Sequence, residues 1–246
     1  MKPVYLTDNH ARQALIDACL QFAPLGLNQG KSGNASLRWH RGAEDGMLIT
    51  PSGLAYERTQ VDDIAWVPLA QAAVRASSPE ADADLRAPVL QPPSRFDGRR
   101  KPSSEWRMHC DLYRTRADAG AVVHVHSSCA TTLACLPVIQ ARGIPAFHYM
   151  IAVAGGHDIR CASYATFGTQ ALSEAALAAL ADRRACLLAN HGQIALATDL
   201  EGALALALEV ESLSRQYLQA LQVGEPVVLD ASEMRRVLDA FAHYGR

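Results

Sequence analysis

Between Ala121 and His126 the chain reads Ala-Val-Val-His-Val-His, an apolar run in which two histidines stand two positions apart. Side chains alternate between the faces of a β-strand, so a strand here sends His124 and His126 to one side. A second apolar run, Ala185-Cys-Leu-Leu-Ala-Asn190, leads into His191-Gly192. Segments 185–190 and 193–197 predict a hairpin around that pair. Shorter apolar runs at 37–39, 47–50 and 64–67 predict three further strands. Leu15, Cys19 and Phe22 share one face of a first helix capped by Thr7 or Asp8. Ser103-Ser104-Glu105 opens a helix to about residue 116, with a serine N-cap and a carboxylate in its first turn. Residues 127–136 predict a small-residue helix or turn, and 172–181 an alanine-rich helix. Asp199 caps a long amphipathic helix to about residue 221, and Asp230-Ala-Ser-Glu233 resembles a capping box for a last one. Residues 146–151 and 164–168 fit strand or loop equally. From about residue 70 to 101 the pattern breaks down around Pro79, Pro88, Pro92, Pro93 and the basic Arg99-Arg100-Lys101. That predicts an irregular insertion rather than a linker between two cores. Strands and helices alternate irregularly with antiparallel pairs, which favours a mixed α/β sheet over a doubly wound one.

Composition narrows the functional class. The chain has 246 residues, 49% hydrophobic and 20% charged, enough to bury a full core as one domain spanning 1–246. A formal net charge of −2 gives no sign, at the level of the whole chain, of a nucleic-acid or membrane-surface partner. The first residues lack a basic start followed by an apolar core, so no signal peptide is expected, and no run reaches the length of a membrane span. The six cysteines have no Cys-x-x-Cys spacing and sit among apolar or small residues, as reduced cysteines of a cytoplasmic protein do.

His124, His126 and His191, converging at strand ends, form a candidate Zn²⁺ site with an open position. The alternative is that the first two face solvent on an edge strand; the valines around them argue instead for a buried strand, where imidazoles need partners. Glu105 has two readings that local spacing leaves open. It is either an acid that complements the helix dipole, or a base near the metal that takes a proton from carbon. Gly33-Asn34, Ser52-Gly53 and Ser103-Ser104 are turn or helix-start positions whose N–H and hydroxyl groups can hold a phosphate dianion. None matches a P-loop or a dinucleotide fingerprint.

Taken together, these segments resemble the class II aldolase/adducin family. The matching stretches are Leu25-Gly-Leu-Asn-Gln-Gly30, Gly33-Asn34-Ala-Ser36, Met47-Leu-Ile-Thr-Pro-Ser-Gly53, Pro102-Ser-Ser-Glu-Trp106 and Val122-Val-His-Val-His126. They continue through Ile144-Pro-Ala-Phe-His-Tyr149-Met-Ile, Tyr164-Ala-Thr-Phe-Gly-Thr169, Asn190-His-Gly192 and the terminal Tyr244-Gly245. They cover nearly the whole chain in the family's order. The resemblance implies a single three-layer αβα domain around a mostly antiparallel sheet, assembled as a homotetramer with sites between subunits. It implies His124, His126 and His191 as metal ligands, usually to Zn²⁺, with Glu105 touching the metal and serving as base. Gly33, Asn34, Ser52, Gly53, Ser103 and Ser104 match the phosphate cradle. Tyr149 matches a tyrosine delivered to a neighbouring subunit's site, and Phe167 and Tyr244 match residues lining the aldehyde end. Two departures stand out: a serine at 52 in place of threonine, and the long insertion at about 70–101.

The reaction so implied is metal-dependent cleavage of a ketose 1-phosphate, such as L-fuculose 1-phosphate, to dihydroxyacetone phosphate and an aldehyde. Imidazole and carboxylate ligands suit Zn²⁺ but also accept Mn²⁺, Co²⁺ or Fe²⁺. A lysine Schiff base is the competing chemistry. The chain has only Lys2, Lys31 and Lys101, at the terminus or in turn-like segments where nothing depresses an amine pKa. The open alternatives within the family are a pentulose-5-phosphate 4-epimerase, an aldolase for 5-deoxy- or 5-methylthio-pentulose phosphates, and a sugar-phosphate dehydratase or decarboxylase. Epimerases of the family tend to carry aspartate where this chain has Glu105. The non-enzymatic alternative is an adducin-like interaction module, which has no need of an intact ligand set.

Overall fold

In the computed structural model, which describes residues 7–70 and 92–243, apolar runs become the strands of one central sheet. In chain order the strands are β1 (Asn34–Arg38), β2 (Gly46–Ile49), β3 (Ala65–Pro68), β4 (Ala121–Val125), β5 (Ile144–Pro145), β6 (Asp158–Ile159), β7 (Cys161–Ala162), β8 (Ala185–Leu188) and β9 (Gly192–Ala197). The main sheet runs β3-β2-β1-β4-β9-β8-β7, while β5 and β6 pair separately. Every neighbouring pair in the main sheet is antiparallel except β7 with β8. The sheet observed is the mixed one predicted from the pattern, and mostly antiparallel as the family resemblance implies. Residues 71–91 of the predicted insertion, and Tyr244, lie outside the described residues.

The helices are α1 (Asp8–Leu20), α2 (Trp106–Thr115), α3 (Ser128–Ala134), α4 (Pro137–Arg142), α5 (Gln170–Ala179), α6 (Leu200–Val223) and α7 (Ala231–His243). Two apolar clusters lie on opposite faces of the sheet. One joins Val123, Val125 and Ala195 to α1, α3 and α6; the other joins Val122, Ile194 and Leu196 to α2 and α5. This is the three-layer αβα arrangement. It explains why β4 and β8 read as nearly unbroken apolar runs: a strand covered on both faces has no solvent side to mark with polar residues. Each fully buried Val or Leu contributes about 1.5–3 kcal/mol relative to exposure, so this packing fixes the register that places the histidines.

Several caps follow the expected chemistry. Thr7 Oγ1 accepts from His10 N, and Asp199 Oδ1 accepts from Gly202 N at 2.8 Å. Asp230 Oδ1 accepts from the N–H groups of Ser232 and Glu233, but the Glu233 carboxylate pairs with Arg236 instead of completing a capping box. The ambiguous segment 146–151 contains the start of a 3-10 helix, Tyr149–Ala154. The helix after Ser103 corrects the expected cap: Glu105, not a serine, occupies the N-cap position, and its side chain makes no capping bond. Among the described residues no helix is long and apolar enough to cross a membrane. All six cysteines are free.

Candidate metal centre and active site

β4 delivers His124 and, just past its end, His126, and the turn between β8 and β9 delivers His191. Asn190 adopts φ +53, which reverses the chain there and returns it into β9. The three imidazole centroids stand 4.8, 4.9 and 4.9 Å apart, a nearly equilateral triangle. One ligand atom from each lies within 4.8 Å of the others. His124 is fully buried, and its Nδ1 is 2.9 Å from the carbonyl oxygen of Gln193. Donation to that carbonyl fixes the tautomer, so Nε2 carries the lone pair that faces His126 and Glu105.

Glu105 closes the fourth side. Its Oε2 is 3.2 Å from His124 Nε2, and its Oε1 is 3.4 Å from His191 Nε2. Oε1 is buried without a hydrogen bond, while Oε2 accepts from the Asn34 amide at 2.9 Å. Burial works to raise the Glu105 carboxyl, but His124, His191 and the Asn34 donor outweigh it and hold the group well below the usual carboxylate range. His126 is pushed down to about 3 by burial and then by His124 and His191, and His191 to about 4 by burial and then by His124. Both rings therefore present neutral nitrogens at pH 7.

These donors fit a divalent cation. The Nε2 atoms of His124 and His126 lie 3.0 Å apart. Nitrogens on a tetrahedral Zn²⁺ at about 2.0–2.1 Å are separated by about 3.3 Å, close to this spacing. The orphaned Glu105 oxygen and the carbonyl behind His124 are what such an ion requires of its surroundings.

A cavity of about 310 Å³ opens over the centre. Gly33, Asn34, Ser52, Gly53, Ser103 and Ser104 line it together with Glu105, His126, His191 and Phe167, so the structure brings nearly the whole predicted set to one place. Gly33 is obligatory: its φ is +76, and a Cβ there would stand 2.7 Å from the carbonyl oxygen of His124. The backbone donors of two serines are already used. Ser52 N–H donates to Lys101 O and Ser103 N–H to Thr50 O, across a bridge between Pro51 and Pro102. An anion at this end must therefore be met by serine hydroxyls and the remaining amides. Tyr149 does not line the cavity; it is half-exposed and packs beside Phe241 of α7.

Sequence reasoning passed over several residues of this site. Asn28 is buried; its Oδ1 accepts from His126 N, and its amide donates to Ser32 O, tying the glycine-rich loop to the histidine strand. Gln193 anchors His124 through its backbone. Tyr164, Ala165 and Lys31 also line the cavity. His109 stands behind Asn34, with its Nε2 2.5 Å from Asn34 Oδ1. Its position four residues after Glu105, on the same helix face, was the available signal.

Comparison with known proteins agrees with this geometry. Residues 13–218 match the model of the "Class II Aldolase and Adducin N-terminal domain". The chain is 48% identical over 234 residues to the 5-methylthioribulose-1-phosphate/5-deoxyribulose-1-phosphate aldolase of Rhodospirillum rubrum, covering 95% of this chain and 92% of that one. It is 43% identical over 238 residues to the L-fuculose phosphate aldolase of Escherichia coli K12, covering 96% of each. A solved L-fuculose 1-phosphate aldolase superposes with a TM-score of 0.79 at 37% identity, covering 94% of this chain and 96% of the other. With a histidine triad able to hold a metal at the end of the shared sheet, the chain belongs to the class II aldolase and adducin family.

Proposed function

We propose that this chain is a metal-dependent aldolase that cleaves a ketose 1-phosphate to dihydroxyacetone phosphate and a small aldehyde. The observation that carries the reading is the contact of one carboxylate, Glu105, with two imidazoles of a three-histidine cluster on the floor of a cavity rimmed by serine and glycine. The relatives at 48% and 43% identity are named as aldolases for sugar 1-phosphates.

His124, His126 and His191 would hold the divalent ion. When bound, it supplies Lewis-acid stabilisation of the negative charge that develops as the C3–C4 bond breaks. Zn²⁺ suits three imidazoles best, with Mn²⁺, Co²⁺ and Fe²⁺ as chemically acceptable substitutes. Glu105 is the proton carrier at the carbon that becomes the dihydroxyacetone phosphate carbanion. Its carboxylate is held in the ionised form, and Oε1, which makes no hydrogen bond, is the oxygen that would take the proton. Ser52, Ser103 and Ser104 hydroxyls, with the Asn34 amide and the Gly53 N–H, receive the phosphate. Tyr149, from a neighbouring subunit of a homotetramer, handles the proton at the aldehyde oxygen, and Tyr244 accompanies it there.

The aldehyde end favours an apolar tip. Tyr164, Ala165 and Phe167 line the cavity, and their apolar surface supports taking them as its aldehyde end. L-Fuculose, 5-deoxyribulose and 5-methylthioribulose 1-phosphates all end in a carbon without a hydroxyl, so that surface fits each of them. The length of the aldehyde then separates the substrates. The deciding assay offers these three substrates to the metal-loaded enzyme and measures dihydroxyacetone phosphate. Release from at least one, abolished by EDTA, supports the reading. Interconversion of pentulose 5-phosphates without any triose phosphate would replace the aldolase with an epimerase. Activity that resists EDTA but is trapped by borohydride with substrate would replace the metal with a lysine.

A further inference from the structure

Behind Glu105 and Asn34 lie three buried polar side chains, Ser36, His109 and Tyr113, that the proposed reaction leaves unused. Strand β1 offers Asn34 and Ser36 two residues apart, hence on one face. Helix α2 and its N-cap offer Glu105, His109 and Tyr113 at intervals of four, hence on one stripe. The two sets meet. Tyr113 OH is 2.8 Å from Ser36 Oγ, and Ser36 Oγ is 2.7 Å from His109 Nδ1. His109 Nε2 is 2.5 Å from Asn34 Oδ1, and Asn34 Nδ2 is 2.9 Å from Glu105 Oε2. His109 and Ser36 are fully buried, and Tyr113, Asn34 and Glu105 nearly so.

With a neutral His109, one arrangement of protons satisfies this row. The Asn34 NH₂ donates to Glu105 Oε2, so the Asn34 oxygen faces His109. That oxygen can only accept, so His109 carries its proton on Nε2. Its Nδ1 then accepts from the Ser36 hydroxyl, which in turn accepts from Tyr113 OH. Burial, with a smaller contribution from His124, pushes His109 down to about 3, which agrees with the neutral ring that this arrangement needs. Burial likewise pushes the Tyr113 phenol far up, and Tyr113 is 1% exposed. The Tyr113 end of the row is therefore closed to water, and the Asn34 amide in its middle does not relay a proton to Glu105. The row is a means of orientation, not a path for protons.

We propose that His109 is a positioning residue: by holding the Asn34 oxygen, it keeps the Asn34 amide turned toward Glu105 and so fixes the direction of the carboxylate that serves as base. A flipped amide would set two acceptors, Asn34 Oδ1 and Glu105 Oε2, against each other in a buried place. This inference rests on Glu105 acting as the base of the proposed reaction. Its structural half, the fixed amide and tautomer, stands without that reading.

The test uses the zinc-loaded enzyme and two substitutions. His109→Leu removes the donor, while His109→Gln places an amide N–H near the position of Nε2. Expected for His109→Leu is full zinc content with kcat lowered about 20-fold or more, and for His109→Gln recovery to within about fivefold of the parent. Equal kcat in both variants, whether both are normal or both are impaired, overturns the proposal, because the pair differs in the N–H donor that the proposal requires. A second readout does not depend on turnover. In ¹⁵N-histidine spectra of the parent protein, the resonances lost in His109→Gln should show a protonated Nε2 and an unprotonated Nδ1. An Nδ1–H tautomer or an imidazolium at neutral pH overturns it. If His109→Leu does not fold, Ser36→Ala replaces it and should loosen the tautomer and lower kcat; an unchanged tautomer with unchanged kcat overturns the proposal. If the parent cleaves no ketose phosphate, the tautomer result still stands or falls alone.

Discussion

Nε2 of His124 faces Nε2 of His126 across 3.0 Å, with the other nitrogen of His124 committed to the Gln193 carbonyl. Two lone pairs cannot share that gap without a positive charge between them. His126 is held neutral by burial and its neighbours, and His124 is raised because Glu105 and Gln193 overcome the cost of burial. A divalent cation satisfies both rings and Glu105 at once. Because only the folded chain assembles this triad, a bound ion adds stability, about 4 kcal/mol at a free concentration about a thousandfold above its Kd. Chelation should therefore lower the Tm and abolish dihydroxyacetone phosphate release, and zinc should restore both. A Tm that EDTA leaves unchanged, with no metal found by elemental analysis, would remove the metal from the account.

That centre was largely legible in the sequence, for a physical reason. The period of a strand puts residues 124 and 126 on one face whatever the rest of the fold does, and a turn residue such as His191 sits at a strand end by construction. The Gly33, Ser52 and Ser103 segments were legible as turns but not as one rim, because their convergence depends on strand order across the sheet. The role of Glu105 could not be read locally. A carboxylate at a helix start has the same spacing whether it caps the helix or turns away from it, and here the His124 ring, 19 positions along the chain, draws it away. The Asn34–His109 contact spans 75 positions and leaves no mark on local periodicity.

Gly33 and Gly53 offer a matched comparison. Both have φ near +70, so alanine at either position carries the backbone strain of the left-handed region, about 1–2 kcal/mol. A Cβ on Gly53 meets nothing within 4 Å, whereas one on Gly33 meets His124 O at 2.7 Å. Gly33→Ala should therefore cost more stability than Gly53→Ala by chemical denaturation, and should also lower zinc affinity by pushing the histidine strand. Equal losses would mean that the loop relaxes without disturbing the metal centre.

Asp63 is buried and receives Gln60 N–H, Arg99 and Arg100. Burial alone would raise its carboxyl, but these donors outweigh it and leave the pKa below the ordinary value. A folded-state pKa depressed in this way contributes stability that is present above the unfolded value of about 3.9 and is lost as pH falls through the folded value. Asp63→Asn should therefore lower stability by about 2 kcal/mol at neutral pH. The difference from the parent should shrink only below about pH 4. Urea denaturation at several pH values checks this. A difference that stays constant into strong acid would show that the carboxylate charge does not matter there. Arg99 and Arg100 lead through Lys101 into Pro102-Ser103-Ser104, so the variant should also raise KM more than it lowers kcat.

Glu105→Gln keeps the shape and the reach to Asn34 but removes the base. With zinc at saturation, kcat should fall about 10²- to 10⁴-fold. Exchange of the dihydroxyacetone phosphate carbon proton with deuterated water should stop, even without an aldehyde present. Persistent exchange would assign the base elsewhere. Zinc affinity should also drop, because the negative charge against His124 and His191 is gone.

Tyr149 and Glu105 provide the sharpest test of a shared site. Within one chain, Tyr149 is half-exposed and outside the cavity that contains Glu105. If it acts on a neighbouring subunit, Tyr149→Phe alone should lower turnover and leave zinc content unchanged. Mixing Tyr149→Phe and Glu105→Gln chains, with reversible dissociation and reassembly, should then recover activity that neither possesses. In such mixtures some interfaces pair an intact Glu105 with an intact Tyr149 from the other chain. Recovery should rise with the fraction of mixed assemblies and approach one quarter of the parent rate at about equal proportions, since independent draws of two intact partners each occur about half the time. No recovery, in assemblies shown by mass spectrometry to be mixed, would confine the whole reaction to one chain and leave Tyr149 with a packing role beside Phe241.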